Sequence, residues 1–117
     1  MKCCAFDVDE TLEISGGPVT LRSLVELVKA GHIVGVCGNW GLFTQRVQGW
    51  HGIASFLNVL VPKAPFLAHL KRYVPAEEYV MVGNATRLGA QSYDDETAAQ
   101  QAGWRFILEK NFAAGER

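Results

Sequence analysis

Short apolar runs, each followed by a single helix-like stretch, constrain this chain most. Residues 3–6 (CCAF), Ile33–Cys37 (IVGVC), 79–82 (YVMV) and Arg105–Leu108 (RFIL) carry little alternation with polar residues. Runs of that length and character suit strands covered on both faces. The stretches between them read as helices. Thr20 is a good N-cap for a helix presenting Leu21, Leu24, Val25 and Val28 on one face and ended by Gly31. A helix is expected over 42–48, after the break Gly38-Asn39-Trp40-Gly41. Pro62-Lys63-Ala64-Pro65 opens another, running to about Tyr73 with Phe66, Leu67 and Leu70 inward. A last helix covers 97–102 and ends at Gly103, while 50–57 reads as one short helix leading into a strand at 58–61. This pattern predicts an α/β fold: a three-layer α/β/α sandwich with a central, mainly parallel five-stranded sheet. Right-handed crossovers then place every strand's carboxyl end on one edge, where ligands of open parallel sheets bind.

With 117 residues, 49% of them hydrophobic, the chain suits one compact domain spanning 1–117. Its formal charge of −1, carried by scattered residues, gives no reason to expect nucleic acid or an anionic membrane as partner. No stretch reaches the roughly 18 uninterrupted apolar residues of a membrane span. The N-terminus lacks the basic region and apolar core of a secretory signal. Three cysteines, two of them adjacent, make a poor disulfide framework. Cys3, Cys4 and Cys37 are therefore read as small buried hydrophobes in a reducing cytoplasm. His32, His51 and His69 show no metal-ligand spacing and are read as surface or packing residues.

The polar residues gather where the strands should end. Asp7 and Asp9 follow the first strand, and on extended backbone they would point the same way. Two adjacent carboxylates at the end of an apolar strand are costly unless a cation or a reaction needs them. Gly38-Asn39 follows the second strand, Lys63 the third, and Gly83-Asn84 with Asp94-Asp95 the fourth. A cation site, a polar turn and one positive charge on one edge suit a phosphoryl group. Magnesium takes hard carboxylate oxygens, and phosphate oxygens take a lysine and backbone N–H donors.

These residues, in this order, resemble the haloacid dehalogenase-like superfamily of phosphotransferases over nearly the whole chain. The family's first motif, an apolar strand ending in Asp-x-Asp-x-Thr, is matched by Asp7-Val8-Asp9-Glu10-Thr11. Its second is a Ser or Thr commonly followed by Asn; here Gly38 stands in the hydroxyl position and Asn39 follows. The third, a Lys before a Pro-containing helix start, is similar to Lys63-Ala64-Pro65. The fourth, Gly-Asp and then a second Asp leading a helix that ends in Ala-Gly, resembles Gly83-Asn84 and Asp95 through Ala102-Gly103. The resemblance implies a Rossmann-like core and a magnesium-dependent phosphatase. Asp7 would be the nucleophile, forming an aspartyl-phosphate, and Asp9 the general acid and base. Lys63 would neutralise the nucleophile and the phosphoryl oxygens. Gly38, Asn39 and Lys63 would bind phosphate, and Asp7, Asp9 (through its backbone carbonyl), Asn84 and Asp95 would hold Mg2+.

Two positions depart from the family pattern: Gly38 brings no hydroxyl, and Asn84 an uncharged amide where a carboxylate is usual. The loop 85–93 is also longer than usual. Asp95 is preferred to Asp94 as the ligand by its distance to Ala102-Gly103, and capping of the helix N-terminus is the other role open to these acids. Lys63 has the alternative of an exposed helix-start lysine, and Trp40 those of an entrance wall or an interior packing residue. The residues between Leu12 and the first helix are too few for a folded cap, so the site is expected to be open. A homo-oligomer or a large substrate would then close the crevice. The substrate is a phosphorylated compound of open class, selected by residues 14–18, 40–43 and 86–93. A catalytically weakened protein that binds a phosphorylated ligand or a protein partner is the second reading. A receiver-type signalling domain is disfavoured, because the run 59–61 meets Pro62 with no acid at its end.

Overall fold

The computed structural model describes residues 1–58, 62–85 and 95–117. Five strands, β1 (Lys2–Phe6), β2 (Ile33–Cys37), β3 (Leu57–Asn58), β4 (Glu78–Gly83) and β5 (Arg105–Leu108), form one sheet in the order β3-β2-β1-β4-β5. Every pairing is parallel, so a sheet expected to be mainly parallel is wholly so among the described residues. Among the described residues five α-helices accompany them: α1 (Leu21–Lys29), α2 (Trp40–Arg46), α3 (Ala64–Tyr73), α4 (Asp95–Ala102) and α5 (Glu109–Ala113).

Strand alternation divides the core into two clusters. Cys4, Phe6, Val34, Val36, Val80, Val82 and Ile107 pack with Leu24 and Leu27 of α1, Phe43 of α2 and Phe112 of α5. Cys3, Ala5, Cys37 and Met81 pack with Leu67 and Leu70 of α3, Ala99 of α4 and Trp104. Full burial of each large apolar side chain contributes about 1.5–3 kcal/mol relative to exposure. The three cysteines are buried thiols, and burial pushes Cys3 up to about 12 and Cys4 and Cys37 up to about 11. At neutral pH they are therefore protonated packing residues.

Several local expectations shift. Leu27 rather than Val25 completes the buried stripe of α1, because it stands one helical turn from Leu24. Helix α2 begins two residues earlier than its apolar pattern suggested, because the Asn39 side chain accepts the Leu42 N–H and caps it there. Helix α4 likewise begins at Asp95 rather than at residue 97. Helix α5, which the sequence reading did not anticipate, follows β5 directly and sets Phe112 edge-on to Phe6, with ring centres 5.2 Å apart. Of the third strand expected at 58–61, Asn58 is in place as part of β3; residues 59–61 lie outside the described ones. The segment read as a loop at 14–19 is folded. A 3₁₀ turn at Glu13–Ser15 and a parallel bridge from Leu12 to Val19 lay Gly17 against Thr11, whose carbonyl carbon would sit 2.2 Å from a Cβ at 17. Among the described residues no helix is long and apolar enough to cross a membrane.

The strand order fixes where a ligand fits. From β1 the chain moves outward through β2 to β3, then returns to β4 on the other side of β1 and continues to β5. The crevice therefore opens between the carboxyl ends of β1 and β4, where the winding reverses. Asp7 follows β1 and Asn84 follows β4 at that place.

Candidate active site

Four residues from four separate elements meet in this crevice. The Asp7 N–H donates to the Val82 carbonyl, continuing the ladder by one residue and locking the Asp7 backbone beside β4. Lys63 occupies the N-cap position of α3, and its buried side chain reaches back under the edge of the sheet. Its Nζ donates to Asp7 Oδ1 at 2.8 Å and to Asp95 Oδ1 at 2.6 Å. The exposed helix-start alternative for Lys63 is thereby excluded. Asp95, the first residue of α4, turns its other oxygen, Oδ2, to the backbone N–H of Asn84 at 3.0 Å.

Two glycines make room for these carboxylates. A Cβ at Gly83 would stand 2.3 Å from Asp95 Oδ2, and one at Gly38 would stand 2.5 Å from Asp7 Oδ1. The glycine at 38, which brings no hydroxyl, thus leaves room for Asp7 Oδ1. The Gly38 N–H is engaged by the Asn58 carbonyl at 3.0 Å.

One ammonium serves two buried carboxylates, and the electrostatics follow from that. Burial alone would lower Lys63, but Asp7 and Asp95 outweigh it and hold the lysine above its ordinary value, so it stays charged. It neutralises only one of the acids. Burial first, and the neighbouring Asp7 carboxylate second, push Asp95 up to about 7. The direction is that of two acids sharing a site, in which the more buried one holds its proton longer.

Asp9 lies in different surroundings. It is exposed, and its Oδ1 accepts the Asn39 Nδ2–H at 3.2 Å. Asn39 therefore caps α2 with its oxygen and orients Asp9 with its nitrogen. Trp40, next in sequence, is 40% exposed, which removes the interior packing alternative. Asn84 spans the two aspartates: its Nδ2 donates to Asp7 Oδ2 and to the Asp9 backbone carbonyl, both at 3.0 Å.

All of Asp7, Asp9, Gly38, Asn39, Lys63, Asn84 and Asp95 stand at this one edge of the sheet. Asp94 and the substrate-selecting stretch expected at 86–93 lie outside the described residues. Sequence reasoning missed three features. The buried Thr11 hydroxyl donates to Asp7 Oδ2 at 3.4 Å, a pairing its place in the Asp-x-Asp-x-Thr run could have suggested. The main-chain N–H groups of Val8, Asp9 and Glu10 have no protein partner among the described residues, and they lie immediately beyond the Asp7 carboxylate in sequence. Glu10 there adopts a positive φ of 60°, unusual for a residue with a Cβ and not legible in its side chain. Glu109, at the end of β5, is buried with its Oε2 unpaired among the described residues.

Among the described residues no group of three or more His, Cys, Asp or Glu side chains is disposed to hold a metal ion. The groups that do converge are of another kind: Asp7 Oδ2 and the Asp9 backbone carbonyl oxygen, both accepting from the side-chain Nδ2 of Asn84. The two oxygens are hard donors of the type magnesium accepts, and the Asn84 amide oxygen is a third once the amide is turned. Asp95 has one oxygen on Lys63 and the other on the Asn84 N–H. Compared with family models, with curated proteins and with solved structures, this chain finds no match.

Proposed function

We propose that this protein is a magnesium-dependent phosphatase on a capless, three-layer α/β/α core of the haloacid dehalogenase type. The observation that carries the reading is the arrangement at the end of β1. Asp7 is oriented by Lys63 at 2.8 Å, Gly38 without a Cβ leaves room for its Oδ1, and Asp9 stands exposed two residues away. In the first half-reaction Asp7 Oδ1 attacks phosphorus and the bond from phosphorus to the ester oxygen breaks. Asp9 gives its proton to the departing alkoxide, leaving an aspartyl-phosphate and an ionised Asp9. In the second, Asp9 takes a proton from water, the hydroxide attacks phosphorus, and the Asp7–phosphorus bond breaks. Alcohol and inorganic phosphate are the products, and both aspartates return to their starting states. The N–H groups of Val8, Asp9 and Glu10, unpartnered among the described residues, and the Lys63 ammonium are the donors suited to the phosphoryl oxygens.

Asp7, the Asp9 carbonyl and Asn84 would hold the magnesium, with Asp95 acting through Lys63 and the Asn84 backbone. When bound, the ion supplies charge compensation for the two anions that must meet, the carboxylate and the phosphoryl group. The engaged N–H of Gly38 and the amide at 84 favour a second reading, a weakened relative that binds a phosphorylated ligand without turnover. Release of p-nitrophenol from p-nitrophenyl phosphate separates the two. Magnesium-dependent turnover that disappears in Asp7→Asn is expected; equal rates in wild type and Asp7→Asn would leave the binding reading.

A further inference from the structure

Among the described residues the side chain of Asn84 meets two acceptors. Asp7 Oδ2 and the Asp9 carbonyl oxygen both present lone pairs to one point, and the Nδ2 group occupies it at 3.0 Å from each. Only the NH2 end of the amide fits there, since an amide oxygen would face two other oxygens. A divalent cation in the same place would require the reverse, with the amide oxygen as donor. The change from one state to the other is a half-turn about the last side-chain bond. The backbone need not move, because the Asn84 N–H is pinned to Asp95 Oδ2 at 3.0 Å. The side chain is half-buried, so water and an ion reach it.

We infer that Asn84 is a built-in substitute for the cation. Its NH2 group holds Asp7 and the Asp9 carbonyl together in the metal-free protein, and metal entry requires the amide to turn and present its oxygen. An aspartate at 84 would serve only the loaded state, because in metal-free protein it adds a carboxylate beside Asp7 with no proton to share. Asn84 acts here as a positioning residue, and the inference rests on the magnesium reading of the site.

The test uses no phosphate ester, so it can fail or succeed independently of turnover. Thermal unfolding of wild type, Asn84→Asp and Asn84→Ala is followed in EDTA and in magnesium chloride. Wild type is expected to melt only slightly higher in magnesium than in EDTA, because the bound ion stabilises the folded state while the contacts of the amide NH2 group are given up. Asn84→Asp should melt lower by about 5 °C or more in EDTA and recover in magnesium. Asn84→Ala should fall in EDTA and recover little. In wild type, the side-chain amide NMR signals of Asn84 should shift on magnesium titration while those of Asn58 and Asn111 stay. Asn84→Asp as stable as wild type in EDTA overturns the inference. So does an Asn84→Asp that magnesium stabilises no more than wild type, or an Asn84 amide signal that magnesium leaves unmoved.

Discussion

Asp7 and Asp9 are separated by one residue and live in opposite surroundings. Asp7 is 7% exposed, ion-paired to Lys63 and touched by Thr11 and Asn84. Asp9 is exposed, and among the described residues its carboxylate takes one side-chain hydrogen bond, from Asn39. The inner half of the crevice is a neutralising network assembled from β1, α3, β4 and α4; the outer half is a turn and the capped start of α2. The difference matches the roles proposed for the two acids. A carboxylate held immobile beside a cation is suited to attack, and one that faces water is suited to exchange protons with it. Environment, rather than residue type, separates the two acids.

That contrast is most severely challenged by removing the shared cation. Lys63→Met leaves two buried carboxylates without their ammonium and should cost about 3–5 kcal/mol in chemical denaturation. A loss below about 1 kcal/mol would mean that the inner network is no more consequential than a surface ion pair. Gly83→Ala is the next largest. Its Cβ would fall 2.3 Å from Asp95 Oδ2, and displacing that carboxylate from Lys63 should cost about 1–3 kcal/mol by the same measurement.

A pH series sharpens the inner half further. Asp95 rises from 3.8 to about 7 on folding. Between those values the native protein holds more protons than the unfolded chain, so the contribution of Asp95 to stability falls as pH rises through the window. Stability measured in EDTA from pH 4 to pH 7 should decline in wild type, and the decline should flatten in Asp95→Asn. An unchanged slope in the variant would place the titration elsewhere. The smallest effect is expected in the outer half: Asp9→Asn should alter stability by no more than about 0.5 kcal/mol. A larger loss would show that Asp9 belongs to the inner network after all.

The frame was legible in the sequence because it depends on local pattern. Continuous apolar runs announced the buried parallel strands, and the polar residues following them fell at one edge as expected. Lys63 was legible by position but not by burial, because its partners are 56 and 32 residues away. The direction of the Asn84 amide was hidden for the same reason: its two acceptors lie 77 and 75 residues distant. The roles of Gly38 and Gly83 as space for carboxylates were illegible too, since a glycine records nothing about what approaches it. Helix α5 was missed because five residues after a strand give too little periodicity to read.

In the proposed mechanism Asp7 becomes phosphorylated and Asp9 governs release of the phosphoryl group. Intact-mass measurement of Asp9→Asn after incubation with p-nitrophenyl phosphate and magnesium tests it most directly. p-Nitrophenolate leaves without a proton, so attack by Asp7 should proceed while hydrolysis lacks its base. The account predicts that Asp9→Asn gains the mass of one phosphoryl group, located on Asp7, and that Asp7→Asn gains none. Unmodified Asp9→Asn, or equal labelling of both variants, would contradict it.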